Sequence, residues 1–194
     1  MAWAGPGGAA AKAGAMVPDL TTARLLLRQR DIAEIDDYVA MDGDLEVRRH
    51  ITPEFRDNFD ADAYRVALAE RMARDFGPGF GHWTLRSRVA PHGFLGMAIL
   101  MPVEGRGPEI EIGWRLPRSA WGQGHASEAA RCVLDHAFAT LGLEDVVALI
   151  DPQNSRSIAV AAKLGFSADG RRAAYGTEFD LYRCRHPPGS RKNS

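Results

Sequence analysis

The stretch "WGQGHASEAA", Trp121 to Ala130, sets Gly122 and Gly124 one residue apart directly before a run of helix-forming residues. A helix N-terminus carries unpaired N–H groups and a partial positive charge, so glycines there clear the backbone for an anion such as a phosphate. Ala126 and Ser127 keep the following turn small. The same glycines would equally let the turn pass close to a sheet. A nucleoside-triphosphate loop is excluded, because no Gly-Lys-Ser or Gly-Lys-Thr closes the stretch. A dinucleotide site is a nearer fit, since Glu144 lies 20 residues after Gly124, where a ribose-binding acid belongs. It fails because the third glycine falls on Ser127 and no early strand–helix–strand unit leads into the loop.

The elements that must position this loop follow from hydrophobic period. "LTTARLLLRQR" reads as a first strand. "DIAEIDDYVAMDGD" repeats Ile32, Ile35, Tyr38 and Val39 at helical spacing behind Asp31 as N-cap. "DADAYRVALAERMARDF" is a second helix stopped by "GPGFG", and "RRHITPEFRDNF" between them is loop or irregular helix. The period then changes to two over "HWTLRSR", "GFLGMAILMPV" and "PEIEIGWRL", separated by the turn residues of "VAPH" and "EGRGP". The helix opened by Gly122 and Gly124 ends at Gly142 and leads to the buried strand "EDVVALI". "NSRSIAVAAKLG" is a short helix from Asn154 to Gly165, and "FSADGRRAAYGTEFDLYRCR" closes the domain as a hairpin. This order predicts an α+β fold: a mixed, mostly antiparallel sheet of six to seven strands flanked by about four helices. Only "EIEIGW" and "EDVVALI" are joined through a helix, so they are the expected parallel pair.

Composition narrows the partners. The chain has 194 residues with 24 basic and 25 acidic side chains and a formal net charge of -1, which predicts one domain and gives no global attraction to nucleic acid or an anionic membrane. Cys132 and Cys184 stand alone, without Cys or His at metal spacing. They read as small buried hydrophobes in a reducing cytoplasm, and no metal is expected. Residues 1–18, rich in Ala and Gly and interrupted by Lys12, are expected to be a flexible tail, 19–186 the domain, and 187–194 a second flexible tail.

The block from "EIEIGW" through "WGQGHASEAA" to "DPQNSRSIAVAAKLGF" resembles the GNAT superfamily of N-acetyltransferases, and is most similar to the branch containing the ribosomal-protein N-terminal acetyltransferases. "TARLLLRQRD" matches that branch's first strand and turn. The resemblance implies a GNAT-like sheet whose parallel pair splays apart, with acetyl-coenzyme A as acyl donor. It places the pyrophosphate on the backbone of Gln123, Gly124, His125, Ala126 and Ser127, in a loop begun by Trp121 and Gly122. Trp121 stands where the superfamily commonly has Gln or Arg. The pantetheine arm would run along Ile112, Gly113 and Trp114, held also by Asn154, with Arg118 as a further phosphate partner.

Acetyl transfer to an amine needs an uncharged nucleophile, a base and donors for the developing oxyanion. The resemblance assigns the base to Glu111 of "EIG", acting through water, and the oxyanion donor to a backbone N–H of Ile112–Trp114. Alternation places Glu109 on the same face, where two carboxylates raise each other's proton affinity. Where many members carry a thiolate-protonating tyrosine, Ala161 stands; Ser157, a water or Tyr175 is left for that role. His50, His82 and Trp83 are expected to border the acceptor side. Direct attack in a ternary complex needs no cysteine nucleophile. The acceptor is a primary amine, on a protein N-terminus or a small molecule, and the acidic residues of "DIAEIDDYVAMDGDLE" would suit a cationic one or form a solvated face. A non-catalytic acetyl-coenzyme A-binding sensor or scaffold is the alternative; either would be a monomer or homodimer.

Overall fold

A computed structural model describes residues 17–89 and 93–186. Along this chain run β1 (Leu20–Thr21), β2 (Leu25–Gln29), α1 (Ile35–Gly43), α2 (Leu45–Arg48), α3 (Pro53–Asp57), α4 (Ala61–Met72), β3 (Gly81–Ser87), β4 (Phe94–Pro102) and β5 (Ile110–Arg115). Then follow α5 (His125–Asp135), β6 (Asp145–Ile150), α6 (Ser155–Leu164), β7 (Ser167–Ala174) and β8 (Thr177–Arg185). The strands form one sheet ordered β1-β2-β3-β4-β5-β6-β8-β7. All neighbours are antiparallel except β5 and β6, as the connecting helix requires.

The architecture is the expected α+β one, with eight strands and six helices among the described residues where six to seven and about four were anticipated. The additional strand is the two-residue β1, which pairs Leu20 and Thr21 with Leu27 and Leu26. The additional helices, α2 and α3, are capped locally: Asp44 accepts from Glu46 N at 2.9 Å, and Thr52 from Phe55 N at 3.3 Å. Elements of two to five residues are too short to express a hydrophobic period. The tails expected at 1–18 and 187–194, and most of the "VAPH" turn, lie outside the described residues except at Val17, Pro18 and Val89. Val17 is buried in the main core, and the Pro18 carbonyl accepts from Trp83 Nε1 at 2.8 Å, so chain ahead of residue 19 already packs.

Alternation divides the sheet into two faces. On one, Trp83, Ala98, Leu100, Ile112, Val146 and Ala148 meet Ala129, Ala130, Val133 and Leu134 of α5 and Ala161 of α6. Full burial of each Val or Leu here contributes about 1.5–3 kcal/mol. On the other, Tyr38, Met41, Tyr64 and Leu68 of α1 and α4 pack on Met97. Trp83 therefore belongs to the α5 side. Cys184 is buried in the same core, and both cysteines are free.

β5 and β6 share a single aligned pair, Glu111 with Val147. Beyond it each strand keeps its outer neighbour: β5 stays on β4 to the pair Arg115–Met97, and β6 on β8 to the pair Ile150–Asp180. The two strands thus part while both remain in the sheet. At the far end of β5, Gly96 of β4 (φ 117) lies so close that a Cβ would sit 2.2 Å from the Arg115 carbonyl oxygen.

Gly96→Ala is expected to destabilise the fold by about 2–4 kcal/mol through a forbidden φ and a backbone clash, read by urea unfolding. A loss under about 0.5 kcal/mol would mean that β4 and β5 are not held this tightly.

Candidate active site

The loop before α5 is shaped by its own side chains. Trp121 Nε1 donates to the Leu116 carbonyl and Gln123 Nε2 to that of Ser119, both at 2.8 Å. Gly122 and Gly124 have φ of 73° and 79°, a left-handed conformation that favours glycine. No side chain caps α5, and among the described residues no protein group accepts from the N–H of any residue from Gly122 to Ser127. His125 Nδ1 is likewise buried without a partner. Orphan donors converging at a helix N-terminus make a cradle for an anion.

The one carboxylate in the first turn, Glu128, is met from the turn between β1 and β2. It accepts from Thr22 Oγ1 at 2.5 Å, Arg24 N at 3.0 Å and Arg24 Nε at 2.6 Å, while another Arg24 N–H donates to the Gln123 carbonyl at 2.9 Å. Arg118 is exposed, its guanidinium 3.9 Å from the Asp44 carboxylate. Arg156, at the start of α6, lies over the Trp121 ring at 4.3 Å and brings a second cation to the loop. Neither Arg24 nor Arg156 was visible as a loop partner in the sequence, because their contacts join segments far apart in the chain.

At the splay, Glu111 is buried, with 5% of its surface accessible. Its Oε1 accepts from the Tyr175 hydroxyl. Tyr175 sits in the tight turn between β7 and β8, and a mutual clasp holds it there. Its N–H donates to Glu104 Oε1 and its hydroxyl accepts from Glu104 N, each at 2.9 Å. Burial pushes the Glu111 carboxyl up, the Tyr175 hydrogen bond pulls it partly back and the Glu104 charge adds to the rise, leaving it at about 7. Burial and the neighbouring Glu111 hold the Tyr175 hydroxyl protonated far above neutrality.

Glu109 is not the like charge that acts on Glu111. It pairs with Arg172 at 3.3 Å, and the neighbouring carboxylate is Glu104, from a segment legible only as turn chemistry. Asn154 caps α6 by accepting from Ser157 N at 3.1 Å. The Ser157 hydroxyl makes no hydrogen bond among the described residues. Ala161 is fully buried against α5, so no acid can act from that position. His50 Nδ1 lies 3.3 Å from Asp151 Oδ2, joining the segment after α2 to the loop after β6. His82 shares the Glu111 face, aligned through Ile99 with Gly113.

Residues 24–167 match the family described as acetyltransferase (GNAT) domain, and the chain belongs to that family. The uncharacterized protein YkkB of Bacillus subtilis is 42% identical over 73 residues, 37% of this chain and 42% of its own length. The FsC-acetyl coenzyme A-N(2)-transacetylase of Aspergillus fumigatus is 32% identical over 158 residues, covering 77% of this chain and 65% of that protein. The chain thus spans less than two thirds of either relative. A crystal structure of an acetyltransferase from Agrobacterium tumefaciens matches with a TM-score of 0.73 and 26% identity, over 94% of this chain and 100% of that one.

Tyr175→Phe removes the hydrogen bond that favours ionised Glu111. NMR titration of the Glu111 carboxyl carbon should move its midpoint above the value near 7, leaving roughly threefold less carboxylate at pH 6. An unchanged or lowered midpoint would show that Tyr175 does not tune it.

Proposed function

We propose that this chain is an acetyl-coenzyme A-dependent N-acetyltransferase that acts on a primary amine by direct attack in a ternary complex. Glu111 carries the reading: a buried carboxyl titrating near neutrality at the one point where β5 and β6 part. A base is most effective when its pKa lies near the working pH.

The residues present fit the donor. The acceptor-free N–H groups of Gln123, Gly124, His125, Ala126 and Ser127 suit a pyrophosphate, in a loop formed by Trp121 and Gly122, with Arg118 at its margin. The edge of β5 along Ile112, Gly113 and Trp114 has no strand partner toward β6, which suits an extended arm beside Asn154. The Aspergillus relative's name supports the same donor. When bound, acetyl-coenzyme A supplies an activated thioester carbonyl.

The chain's own groups then divide the work. Ionised Glu111 takes the proton of the amine through a water, because a protonated amine cannot attack. A backbone N–H of Ile112–Trp114 faces the carbonyl oxygen as charge develops. Tyr175 orients Glu111 and sets its proton affinity, and Ser157, at the first turn of α6, is left to assist the departing thiol. A non-catalytic acetyl-coenzyme A sensor would need the loop but not a carboxyl tuned near 7.

Isothermal titration with acetyl-coenzyme A tests the donor. Gly124→Glu should weaken binding roughly 100-fold by charge and bulk at the pyrophosphate, whereas Gly124→Ala carries the same backbone strain without the charge and should lose far less. Equal melting temperatures of the two variants would exclude unfolding. If Gly124→Glu bound normally, the phosphate assignment would be wrong. In a thiol-release assay over an amine panel, Glu111→Gln should lower kcat by about 10²–10⁴ with donor affinity kept; binding without amine-dependent release in the unmodified protein would favour the sensor.

A further inference from the structure

The face of β5 that carries Glu111 also carries a group of arginines that the donor site does not use. Gly113 and Arg115 follow Glu111 on that face, with Ile99 and His82 aligned beside Gly113 and Met97 and Thr84 beside Arg115. Arg115 lies 3.2 Å from the fully buried Asp42, which also accepts from the Tyr64 hydroxyl, and 23% of the Arg115 side chain remains accessible. Arg30, at the end of β2, and Arg71, on α4, close around the same place. Their guanidinium groups stand over the rings of Tyr38 at 5.7 Å and Tyr64 at 5.3 Å.

These cations are under-compensated. Among the described residues no carboxylate lies in salt-bridge reach of Arg30 or Arg71, and the Nε of each is buried without an acceptor. Asp42 is one carboxylate against three guanidinium groups. Burial pulls the Arg30 guanidinium down to about 10, with Tyr38 opposing and Arg71 and Arg115 adding to the effect, so it stays charged at neutral pH; guanidinium groups in proteins are charged throughout the physiological range. His82 is held neutral by burial and by the same three arginines, so it adds no further positive charge. Buried, unpaired cations are costly unless an anion completes them.

The acids of α1 and its flanks do not fill that role. Glu34 and Asp37 pair with Arg86, Asp36 with Arg65 and Glu46 with Arg49, while Asp31 and Asp44 cap helix starts. The acids of "DIAEIDDYVAMDGDLE" are thus engaged by groups other than Arg30 and Arg71.

We propose that Arg30, Arg71 and Arg115 bind an anionic group on the acceptor, so that the substrate is a zwitterionic amine: an amino acid or an aminoalkyl phosphate. Its amine reaches Glu111 and its anion the arginines. This rests on the acetyltransferase reading of Glu111. Glu111 and Arg115 are four residues apart along β5, about 13 Å between Cα atoms, so amine and anion are separated by several bonds. Guanidinium forks suit both carboxylate and phosphate oxygens.

The test is a series of ω-amino acids of increasing length and of aminoalkyl phosphates, each beside the alkylamine of matched length, in a thiol-release assay with acetyl-coenzyme A. At least one zwitterion should exceed its alkylamine tenfold or more in kcat/KM, and Arg71→Gln or Arg30→Gln should collapse that ratio toward one. Better turnover of the phosphates than of the amino acids would name phosphate as the anion. Equal turnover of charged and uncharged tails would overturn the proposal while leaving the acetyltransferase intact. Calorimetric titration of the same zwitterions into the protein with coenzyme A gives a reading independent of turnover. Binding that is lost in Arg71→Gln supports the anion site even if no amine is acetylated, an outcome that would sink the enzymatic reading alone. No zwitterion binding at all would overturn the proposal.

Discussion

A single aligned residue pair, Glu111 opposite Val147, joins the two halves of the sheet. Parallel strands normally sustain a ladder once begun, because each further pair adds hydrogen bonds at no further closure cost. Here the ladder stops at once, since β4 and β8 hold β5 and β6 on diverging courses. The separation frees one edge of β5 while the rest of the sheet stays closed. It also leaves a carboxylate at the apex, where burial is deep enough to hold the proton near neutrality and access is still possible.

Alternation along β5 separates two jobs. Ile112 and Trp114 face α5, whose N-terminus is proposed to hold the donor; Glu111, Gly113 and Arg115 lie on the opposite face, Glu111 against Tyr175 and Arg115 against Asp42 of α1, where the acceptor is proposed to lie. Only the strand itself is shared, so acceptor preference can change through α1 and α4 without disturbing the loop. The Arg24–Glu128 contact keeps that loop in place from the turn before β2 and at the same time offsets a negative charge at the mouth of the helix.

Most of this was legible in the sequence where chemistry is local. Gly122 and Gly124, the Asn154 and Asp31 caps, and the period-two strands each announce themselves within a few residues, and the connecting helix dictates the parallel pair. What could not be read depends on distant pairing. Tyr175 was one of three candidates for a missing acid, and only the turn between β7 and β8 brings it to Glu111. Glu109 looked like the partner by alternation, but Arg172, on a strand that ordering alone does not place, neutralises it. The acidic run of α1 looked like a field for cations until its partners on β3 and α4 were seen. The face that Trp83 takes could not be read, because strand alternation does not say which side each helix will cover.

One consequence lies in the order in which the chain is made. β8 follows β7 in sequence but enters the sheet between β6 and β7, so the ribosome must deliver both strands before β6 acquires its second neighbour. Glu111 is synthesised more than sixty residues earlier than Tyr175. During that interval Glu111 lacks its hydrogen-bond partner and β6 has an open edge. Glu111 therefore meets Tyr175 only in the closing event that also covers the β6 edge against aggregation.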